Sequence, residues 1–219
     1  MLVANSKPKI TLSAAITLDG KIGQRNKKTI LSTKSDKIRV HQLRSKFDAI
    51  LVGKNTIEED DPLLTVRYVK GKNPTRIILD SHGTIKNTSK IIKTCKRVPT
   101  IIVTSEIISK PNLNRLQKLP IDVIVCGKTQ VNITKLLSIL SKKGIKTVLL
   151  EGGGTLNRSF LKKNLIDEMI IALTPYVLGS KNTVSLFEGM SFPELKTKLP
   201  LKLKNVQKSG NEIILNYKI

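Results

Sequence analysis

The chain has 219 residues, 39% of them hydrophobic, which is enough to fill one sizeable core within a single domain covering residues 1–219. Two isolated cysteines and two histidines exclude a disulfide framework and a structural zinc site, while the lack of a long apolar run and of a signal sequence predicts a cytoplasmic protein. The net charge of +23 leaves nucleic acid or phosphorylated small molecules open as partners, although basic residues are spread along the chain and aromatic residues make up only 3%.

Short runs rich in β-branched residues alternate along the chain with segments of helical periodicity. This alternation indicates an α/β fold with a mostly parallel central sheet flanked by helices. Apolar residues are nearly continuous within the runs, so both faces of the sheet are expected to be buried. The predicted strands are Ile10–Ile16, Ala49–Val52, Arg76–Leu79, Thr100–Thr104, Val123–Cys126, Thr147–Leu150 and Met169–Leu173.

Two segments carry apolar residues at helical spacing, and both apolar stripes are predicted to pack into the core. In Ser35–Phe47 the stripe consists of Ile38, Val40, Leu43 and Phe47, and in Ile133–Lys142 it consists of Ile133, Leu136, Leu137 and Leu140. The C-terminal segments Leu201–Val206 and Ile213–Tyr217 flank a turn at residues 208–211. They are predicted to form an antiparallel hairpin that closes the sheet.

The most informative segment runs from a predicted strand through Glu151 into Gly152, Gly153 and Gly154, and then into a helical pattern. Glycines allow the backbone to approach a ligand closely, and free N–H groups at the start of a helix attract an anion. The spacing differs from the dinucleotide fingerprint Gly-x-Gly-x-x-Gly and from a P-loop. The segment therefore predicts a phosphate site of another kind, with a plain strand-to-helix turn as the alternative.

Three other predicted strand ends carry small or polar residues. The first strand leads into an Asp19-Gly20 turn, the second into Gly53, and the third into the loop that starts at Asp80. After Gly53, Thr56 and Asp60 lie one helical turn apart and can present a hydroxyl and a carboxylate together. Each segment alone also fits an ordinary loop or a solvated helix, but together they predict a cleft along one edge of the sheet.

In this order and spacing, the motifs of the chain resemble those of the riboflavin-biosynthesis reductases, above all the stand-alone archaeal and fungal branch. They are Thr17–Lys21, Val52-Gly53 with Thr56 and Asp60–Arg67, Leu79–Ser81, and Leu150–Asn157. The resemblance implies a dihydrofolate-reductase-like fold, NADPH as hydride donor, a homodimer, and reduction of a ribosylamino group on a pyrimidine phosphate to a ribitylamino group. No zinc-deaminase signature is present, which favours the diamino-pyrimidinone substrate over the deaminated dione.

The resemblance also assigns site residues. Around NADPH it places Ala15, Thr56, Asp60, Asp80, Ser81, His82, Gly83, Gly127, Gly152, Gly153, Gly154 and Thr155. Around the substrate it places Arg44, Leu64, Arg67 and Glu151. Arginine offers a planar fork of donors to a phosphate, and Glu151 can accept hydrogen bonds from pyrimidine N–H groups or ribose hydroxyls. Alternatively, Arg67 is only a surface charge and Arg44 a solvated partner of Asp48.

Lys21 and Glu151 are the predicted polar assistants of the reaction, and no metal is expected. Positioning the two reactants can supply up to ~7–11 kcal/mol of barrier lowering, so no obvious acid–base pair is required. Ile30 stands where relatives carry an aromatic or a polar residue, so contacts in that loop stay open. The remaining alternatives are a dihydrofolate reductase, a reductase of the deaminated substrate, a nucleotide sensor without activity, and a basic nucleic-acid-binding module.

Overall fold

The protein is described here by a computed structural model, which covers residues 7–25, 29–179, 181–189 and 199–219. The strands are β1 Lys9–Ile16, β2 Lys21–Gln24, β3 Ala49–Gly53, β4 Thr75–Leu79, β5 Thr100–Thr104, β6 Asp122–Val125, β7 Thr147–Leu150, β8 Glu168–Leu173, β9 Thr183–Ser185, β10 Lys202–Ser209 and β11 Glu212–Lys218. The helices are α1 Lys34–Lys46, α2 Lys54–Asp60, α3 Lys90–Lys93, α4 Lys110–Gln117, α5 Ile133–Lys142 and α6 Gly154–Lys162.

The main sheet has the strand order β10-β11-β8-β1-β7-β3-β4-β5-β6. All neighbours from β8 to β6 are parallel, and β11 and β10 add an antiparallel hairpin. Strand β7 lies between β1 and β3, so Leu150 is the register partner of both Leu12 and Leu51. The strand order reverses at this point, and open parallel sheets bind ligands in the crevice beyond the carboxyl ends of such strands.

The core lies on both faces of the sheet because successive strand residues point to opposite sides. Within β3, Leu51 belongs to the apolar cluster with α5 and α6, whereas Ile50 and Val52 belong to the cluster with α2, α3 and α4. The predicted strands, the hairpin and the core stripe of α5 are confirmed. The sequence prediction did not include α3, α4 or the separate two-stranded sheet formed by β2 and β9.

Helix α1 lies where it was predicted, but its buried face is not the predicted one. Ile38, Val40, Leu43 and Phe47 are only half-buried. The buried side chains of α1 are Asp36, His41 and Arg44. The prediction of an apolar core stripe was wrong because this helix faces a polar cavity rather than the sheet core.

Arg76 is a buried arginine on β4 with no solvent-exposed surface. Its guanidinium donates to the carbonyl oxygens of Leu63, Ile91 and Val98 and to the hydroxyls of Thr94 and Thr100, at 2.7–3.2 Å. Burial lowers the pKa of Arg76 to about 10. The side chain therefore joins β4 to β5, to α3 and to the loop after α2.

Candidate active site

Two adjoining cavities lie at the carboxyl ends of the parallel strands. The α1 cavity, of about 450 Å³, is lined by α1, the end of β1, β2 and Glu151. The glycine-turn cavity, of about 430 Å³, is lined by the loops after β3 and β4 and by the start of α6. Both sizes suit small-molecule ligands. The cavities share Thr56, Glu59, Gly153 and Val184 and so form one cleft, as the four strand ends predicted.

The glycine turn is built where β7 passes into α6. Gly152 has a φ of +88°, which favours glycine, and its carbonyl accepts a hydrogen bond of 2.9 Å from Gly53 N at the end of β3. Gly153 precedes α6, and no side chain caps this helix start. The first N–H groups of a helix have no partner within it, so they are available to an anion in the glycine-turn cavity.

The loop after β4 forms the opposite wall of the glycine-turn cavity. Asp80, Ser81 and His82 all line it. The buried Asp80 carboxylate accepts a hydrogen bond of 2.8 Å from Ile85 N, and therefore organises its own loop. On the neighbouring α2, Thr56 lines both cavities and Asp60 lines the α1 cavity.

Arg44 and Glu151 form a bidentate ion pair in the wall of the α1 cavity. Arg44 Nε lies 2.9 Å from Oε1 and Nη2 lies 2.6 Å from Oε2 of Glu151, while Nη1 donates to the Thr65 carbonyl at 3.2 Å. Burial alone would lower the pKa of Arg44, but the Glu151 carboxylate raises it above its usual value. The alternative pairing of Arg44 with Asp48 is wrong, because the carboxylate of Asp48 binds backbone N–H groups at the start of β7 instead.

Arg67 lies at the same cavity but is exposed to solvent. Its Nη1 donates to the Thr65 hydroxyl at 2.6 Å. Burial and the nearby charge of Arg44 lower the pKa of Arg67. Two arginines of this cavity therefore face a common region, and only one of them has a carboxylate partner among the described residues.

His41 also lines the α1 cavity and was not among the residues assigned from the sequence. Its Nδ1 accepts a hydrogen bond of 2.7 Å from Arg67 N, and its ring contacts the Tyr68 ring edge-on with centroids 4.6 Å apart. The accepting Nδ1 places the proton of the neutral ring on Nε2. Burial, and then the charges of Arg44 and Arg67, lower the pKa of His41 to about 4.

We expect this histidine to make stability depend on pH. Its pKa is about 4 in the folded state and 6.5 unperturbed, so the unfolded chain binds more protons between these values. The contribution is complete above pH 6.5 and is lost as the pH falls towards 4, by on the order of 1–3 kcal/mol. NMR titration of His41 and urea unfolding across this range measure both effects. His41→Gln should lack the loss, whereas titration of His41 near 6.5 would contradict the prediction.

Two further buried polar residues of the α1 cavity were missed from the sequence. Asp36 and Asn157 each have one side-chain oxygen, Oδ2 and Oδ1 respectively, without a hydrogen-bond partner within the described part of the chain. Arg44 lies three residues after His41 and about two turns after Asp36, so its side chain lies between the directions of the other two around α1. This spacing of polar residues was the available sequence signal.

Several predicted residues lie outside both cavity walls. Leu64 is 2% exposed and packs in the core cluster with Ile57, so the prediction that it lines the substrate pocket is wrong. Lys21 extends from β2 towards Ser185, whose Oγ lies 3.1 Å from its Nζ, and it lines neither cavity. Its predicted part in the chemistry has no support in this geometry.

Gly83, Gly127 and Gly152 line neither cavity, but they lie in turns that position the residues of the cavity walls. A Cβ at Gly83 would lie 2.4 Å from Ile108 Cδ1, and one at Gly127 would lie 2.1 Å from the Gln130 carbonyl oxygen. Both positions have positive φ values and serve tight turns. Ala15 lines the α1 cavity, Gly154 and Thr155 line the glycine-turn cavity, and Gly153 lines both, while their contacts with NADPH stay a prediction.

Among the described residues, no helix has the length and apolar character needed to cross a membrane. In the same part of the chain, no group of three or more histidine, cysteine or acidic residues is placed to hold a metal ion.

Comparison with known proteins gives consistent matches. The family described as the RibD C-terminal domain matches residues 8–215. Proteins named 2,5-diamino-6-ribosylamino-4(3H)-pyrimidinone 5′-phosphate reductase from Aquifex aeolicus and Methanothermobacter thermautotrophicus are 34% and 35% identical. The alignments cover 97% of this chain in both cases, and 97% and 99% of those proteins.

A solved structure from Thermotoga maritima has a similar fold. It is a diaminohydroxyphosphoribosylaminopyrimidine deaminase/5-amino-6-(5-phosphoribosylamino)uracil reductase, with a TM-score of 0.80 and 25% identity. The match covers 97% of this chain but only 56% of that protein.

Proposed function

The chain belongs to the RibD C-terminal domain family, and on this basis we propose that it uses NADPH to reduce 2,5-diamino-6-ribosylamino-4(3H)-pyrimidinone 5′-phosphate to its ribitylamino form. Family membership confirms the resemblance stated from the motifs, and the neighbouring structures confirm the dihydrofolate-reductase-like fold. The observation that carries the proposal is the single cleft, in which a glycine turn adjoins a cavity containing two arginines.

The glycine-turn cavity fits a dinucleotide phosphate. A Cβ at Gly153 would meet only Thr56 Oγ1, at 3.6 Å, so the space beside this backbone is open to a ligand. The uncapped start of α6 offers N–H donors to a pyrophosphate, and Ser81, His82 and Thr155 supply polar walls. Thr56 and Gly153, shared by both cavities, would lie beside the nicotinamide end, with Ala15 and Asp60 nearby.

The α1 cavity fits the pyrimidine sugar phosphate. Arg67 is the more exposed cation and would bind the 5′-phosphate, while Arg44 adds positive potential from a fixed position. The two hydrogen bonds from Arg44 fix the Glu151 carboxylate, whose oxygens can still accept hydrogen bonds from the substrate at a fixed position. This arrangement supports a binding role for all three residues.

The chain would contribute to the reaction chiefly by positioning. When bound, NADPH would supply a hydride to C1′ of the ring-opened imine form of the substrate, and the imine nitrogen would take up a proton from water as the C=N bond becomes single. The buried Arg44–Glu151 pair needs no reorganisation when the substrate enters, which favours a fixed orientation of the pyrimidine. Thr56 and Gly153, which line both cavities, would determine how closely the two reactants approach.

Oxidation of NADPH in the presence of the ribosylamino-pyrimidine phosphate tests the proposal. We expect substrate-dependent loss of the NADPH absorbance band, little activity with NADH or dihydrofolate, and formation of the ribitylamino product. Absence of turnover with this substrate and with its deaminated form would exclude the proposed function. Thermal stabilisation by duplex DNA or RNA, with none by NADPH, would instead favour nucleic-acid binding.

Gly153→Ala is expected to weaken NADPH binding by about tenfold or more while leaving the fold intact. The new methyl group would enter the space open to the ligand, and overpacking of this kind costs about 1–3 kcal/mol. Calorimetric titration with NADPH measures the loss. Gly154→Ala is the contrasting variant, because its Cβ would lie 2.2 Å from the Ser185 carbonyl oxygen and should lower the melting temperature. Unchanged NADPH affinity in Gly153→Ala would argue against this placement of the cofactor.

We also propose a homodimer. Strand β10 is an edge strand of the main sheet, and Leu203 and Val206 on it are 50% and 52% exposed. An exposed edge with apolar side chains gains stability when a second copy covers it. Light scattering of the purified chain measures its mass, and a monomer at micromolar concentration would contradict the proposal. The cytoplasmic location stays a prediction from the sequence.

A further inference from the structure

The α1 cavity has one basic side. Helix α1 lines it with three basic side chains, those of Lys37, His41 and Arg44, and the loop after α2 adds Arg67. The three residues of α1 are four and three positions apart, so they share one face of the helix. The acidic residues that α2 contributes to the same cavity are Glu59 and Asp60. An anionic group of a ligand would therefore bind on the side of α1 and the loop.

Arg44 is the least available of these basic groups. Its Nε and Nη2 both donate to the Glu151 carboxylate, and its Nη1 donates to the Thr65 carbonyl. A phosphate placed against this pair would also face the negative charge of Glu151. Within the described ranges, neither Lys37 nor Arg67 forms an ion pair. The positive charge available to a phosphate is therefore that of Lys37 and Arg67.

His41 links these two cations. Lys37 lies one helical turn before it on α1, and its Nδ1 accepts hydrogen bonds from Arg67 N at 2.7 Å and Tyr68 N at 3.4 Å. The proton of the neutral ring is then on Nε2, which no described residue binds. In the same part of the chain, Nε2 is not one of the polar atoms that are both sealed from solvent and without a partner. Since the ring lines the cavity, its Nε2–H group is a donor open to a ligand.

We propose that His41 donates its Nε2–H group to the 5′-phosphate of the substrate, and that Lys37 and Arg67 bind the same phosphate. This inference rests on the proposed function and adds His41 and Lys37 to its substrate site. A phosphate has several acceptor oxygens, so it can take donors from the helix and from the loop together. A neutral imidazole donates without adding charge beside the two cations. Glu151 is left for the ribose hydroxyls or the pyrimidine.

Binding of a phosphate should change the titration of His41. The charged and titratable groups on this side of the cavity are Lys37, Arg44, Arg67, Tyr68 and Glu151. Burial, Arg44 and Arg67 lower the pKa of His41 to about 4, and Glu151 acts in the opposite direction. A phosphate adds negative charge and so favours the protonated ring, which raises this pKa. By linkage, the protonated ring in turn binds phosphate more tightly.

Ribose 5-phosphate is the probe for the test, because it carries the sugar phosphate without the pyrimidine. NMR titration follows the pKa of His41 in the free protein, with ribose 5-phosphate and with ribose. The phosphate should raise the pKa from about 4 towards the ordinary value of 6.5, and ribose should leave it unchanged. The inference is overturned if ribose 5-phosphate does not bind, or if it binds and leaves the titration of His41 unchanged.

Two substitutions at His41 separate the donor from the acceptor of the ring. In His41→Asn the amide oxygen takes the place of Nδ1 and keeps the bond from Arg67 N, but the donor at Nε2 is lost. Calorimetry should show binding of ribose 5-phosphate weakened by about 10–10²-fold. In His41→Gln the amide nitrogen lies near the position of Nε2, so most of the affinity should return. An equal loss in both variants would show that the ring only supports the loop.

Lys37→Met tests the second added residue, and Lys46→Met is its matched control. Both lysines belong to α1, but Lys46 is exposed and lines neither cavity. Lys37→Met should weaken binding of ribose 5-phosphate by about three- to tenfold, and Lys46→Met should leave it unchanged. Equal effects of the two substitutions would remove Lys37 from the site.

The probe also separates this inference from the proposed function. If ribose 5-phosphate shifts the titration of His41 but the ribosylamino-pyrimidine phosphate is not reduced, the sugar-phosphate site stands and the proposed function fails. If the pyrimidine substrate is reduced but ribose 5-phosphate leaves His41 unchanged, the proposed function stands and this inference is overturned.

Discussion

Replacing Arg44 with methionine is expected to lower kcat/KM for the pyrimidine substrate by about 10²–10³-fold. The substitution removes one partner of a buried bidentate pair and leaves the Glu151 carboxylate without compensation in the cavity wall. For the same reason the free energy of unfolding should fall by about 1–3 kcal/mol, since Glu151 is half-buried and lines a cavity that water can enter. Steady-state kinetics and urea unfolding measure the two effects on one preparation.

A double variant distinguishes lost binding from lost stability. In Arg44→Met/Glu151→Leu both charges are gone, and replacing a buried pair by apolar residues is often neutral for stability. We expect the double variant to regain most of the lost stability but not the activity. Recovery of activity together with stability would show that the pair only supports the fold.

Arg67→Met provides the comparison for a cation that is exposed to solvent. Its main hydrogen bond within the chain is to the Thr65 hydroxyl, so its loss should cost little stability. Since we propose that it binds the 5′-phosphate, KM should rise while kcat changes much less. A lowered kcat with unchanged KM would place Arg67 in the chemical step instead.

Arg76→Met is expected to cause the largest loss of stability, at least about 4 kcal/mol. The substitution leaves the buried Ile91 carbonyl without its guanidinium donor and removes a donor from the carbonyls of Leu63 and Val98, of which Val98 keeps the Thr100 hydroxyl at 2.9 Å. Methionine fills similar volume but donates no hydrogen bond. The urea midpoint should therefore fall, while the protein that stays folded should bind NADPH normally, because Arg76 lines neither cavity.

Arg97→Met is the control for Arg76, because Arg97 is an exposed arginine in the same region of the chain. Exposed substitutions away from special features usually change stability by less than about 0.5 kcal/mol. Equal, small effects of the two substitutions would contradict the structural role given to Arg76.

The sequence predicted those strands and helices whose residues follow a local hydrophobic pattern. Continuous β-branched runs such as Thr100–Thr104 are buried on both sheet faces, and the stripe of α5 packs in the core. The hairpin of β10 and β11 followed from two runs around a short turn. The motifs at the strand ends were also sufficient to predict a cleft and the residues of the glycine turn, because their order and spacing are distinctive.

The α1 cavity could not be derived in the same way. Whether the buried face of α1 is Val40 and Leu43 or Asp36, His41 and Arg44 depends on what the helix faces, and helical periodicity alone does not contain that information. Leu64 and Arg67 are three residues apart in one motif, yet one packs in the core and the other lies at the cavity. The turn after α2 gives Leu64 a positive φ, which separates the directions of neighbouring side chains.

Local sequence alone was thus sufficient for the strands of the main sheet, most of the helices and the glycine turn, since these follow from side-chain periodicity and from glycine's conformational freedom. Pairing across long separations was decided only by the tertiary structure. Glu151 meets Arg44 because β7 inserts between β1 and β3, and Asp36, His41 and Arg44 are the buried residues of α1 because this helix covers a cavity instead of the core. Burial and partnership are properties of the assembled chain, and they determine which polar residues can serve a ligand.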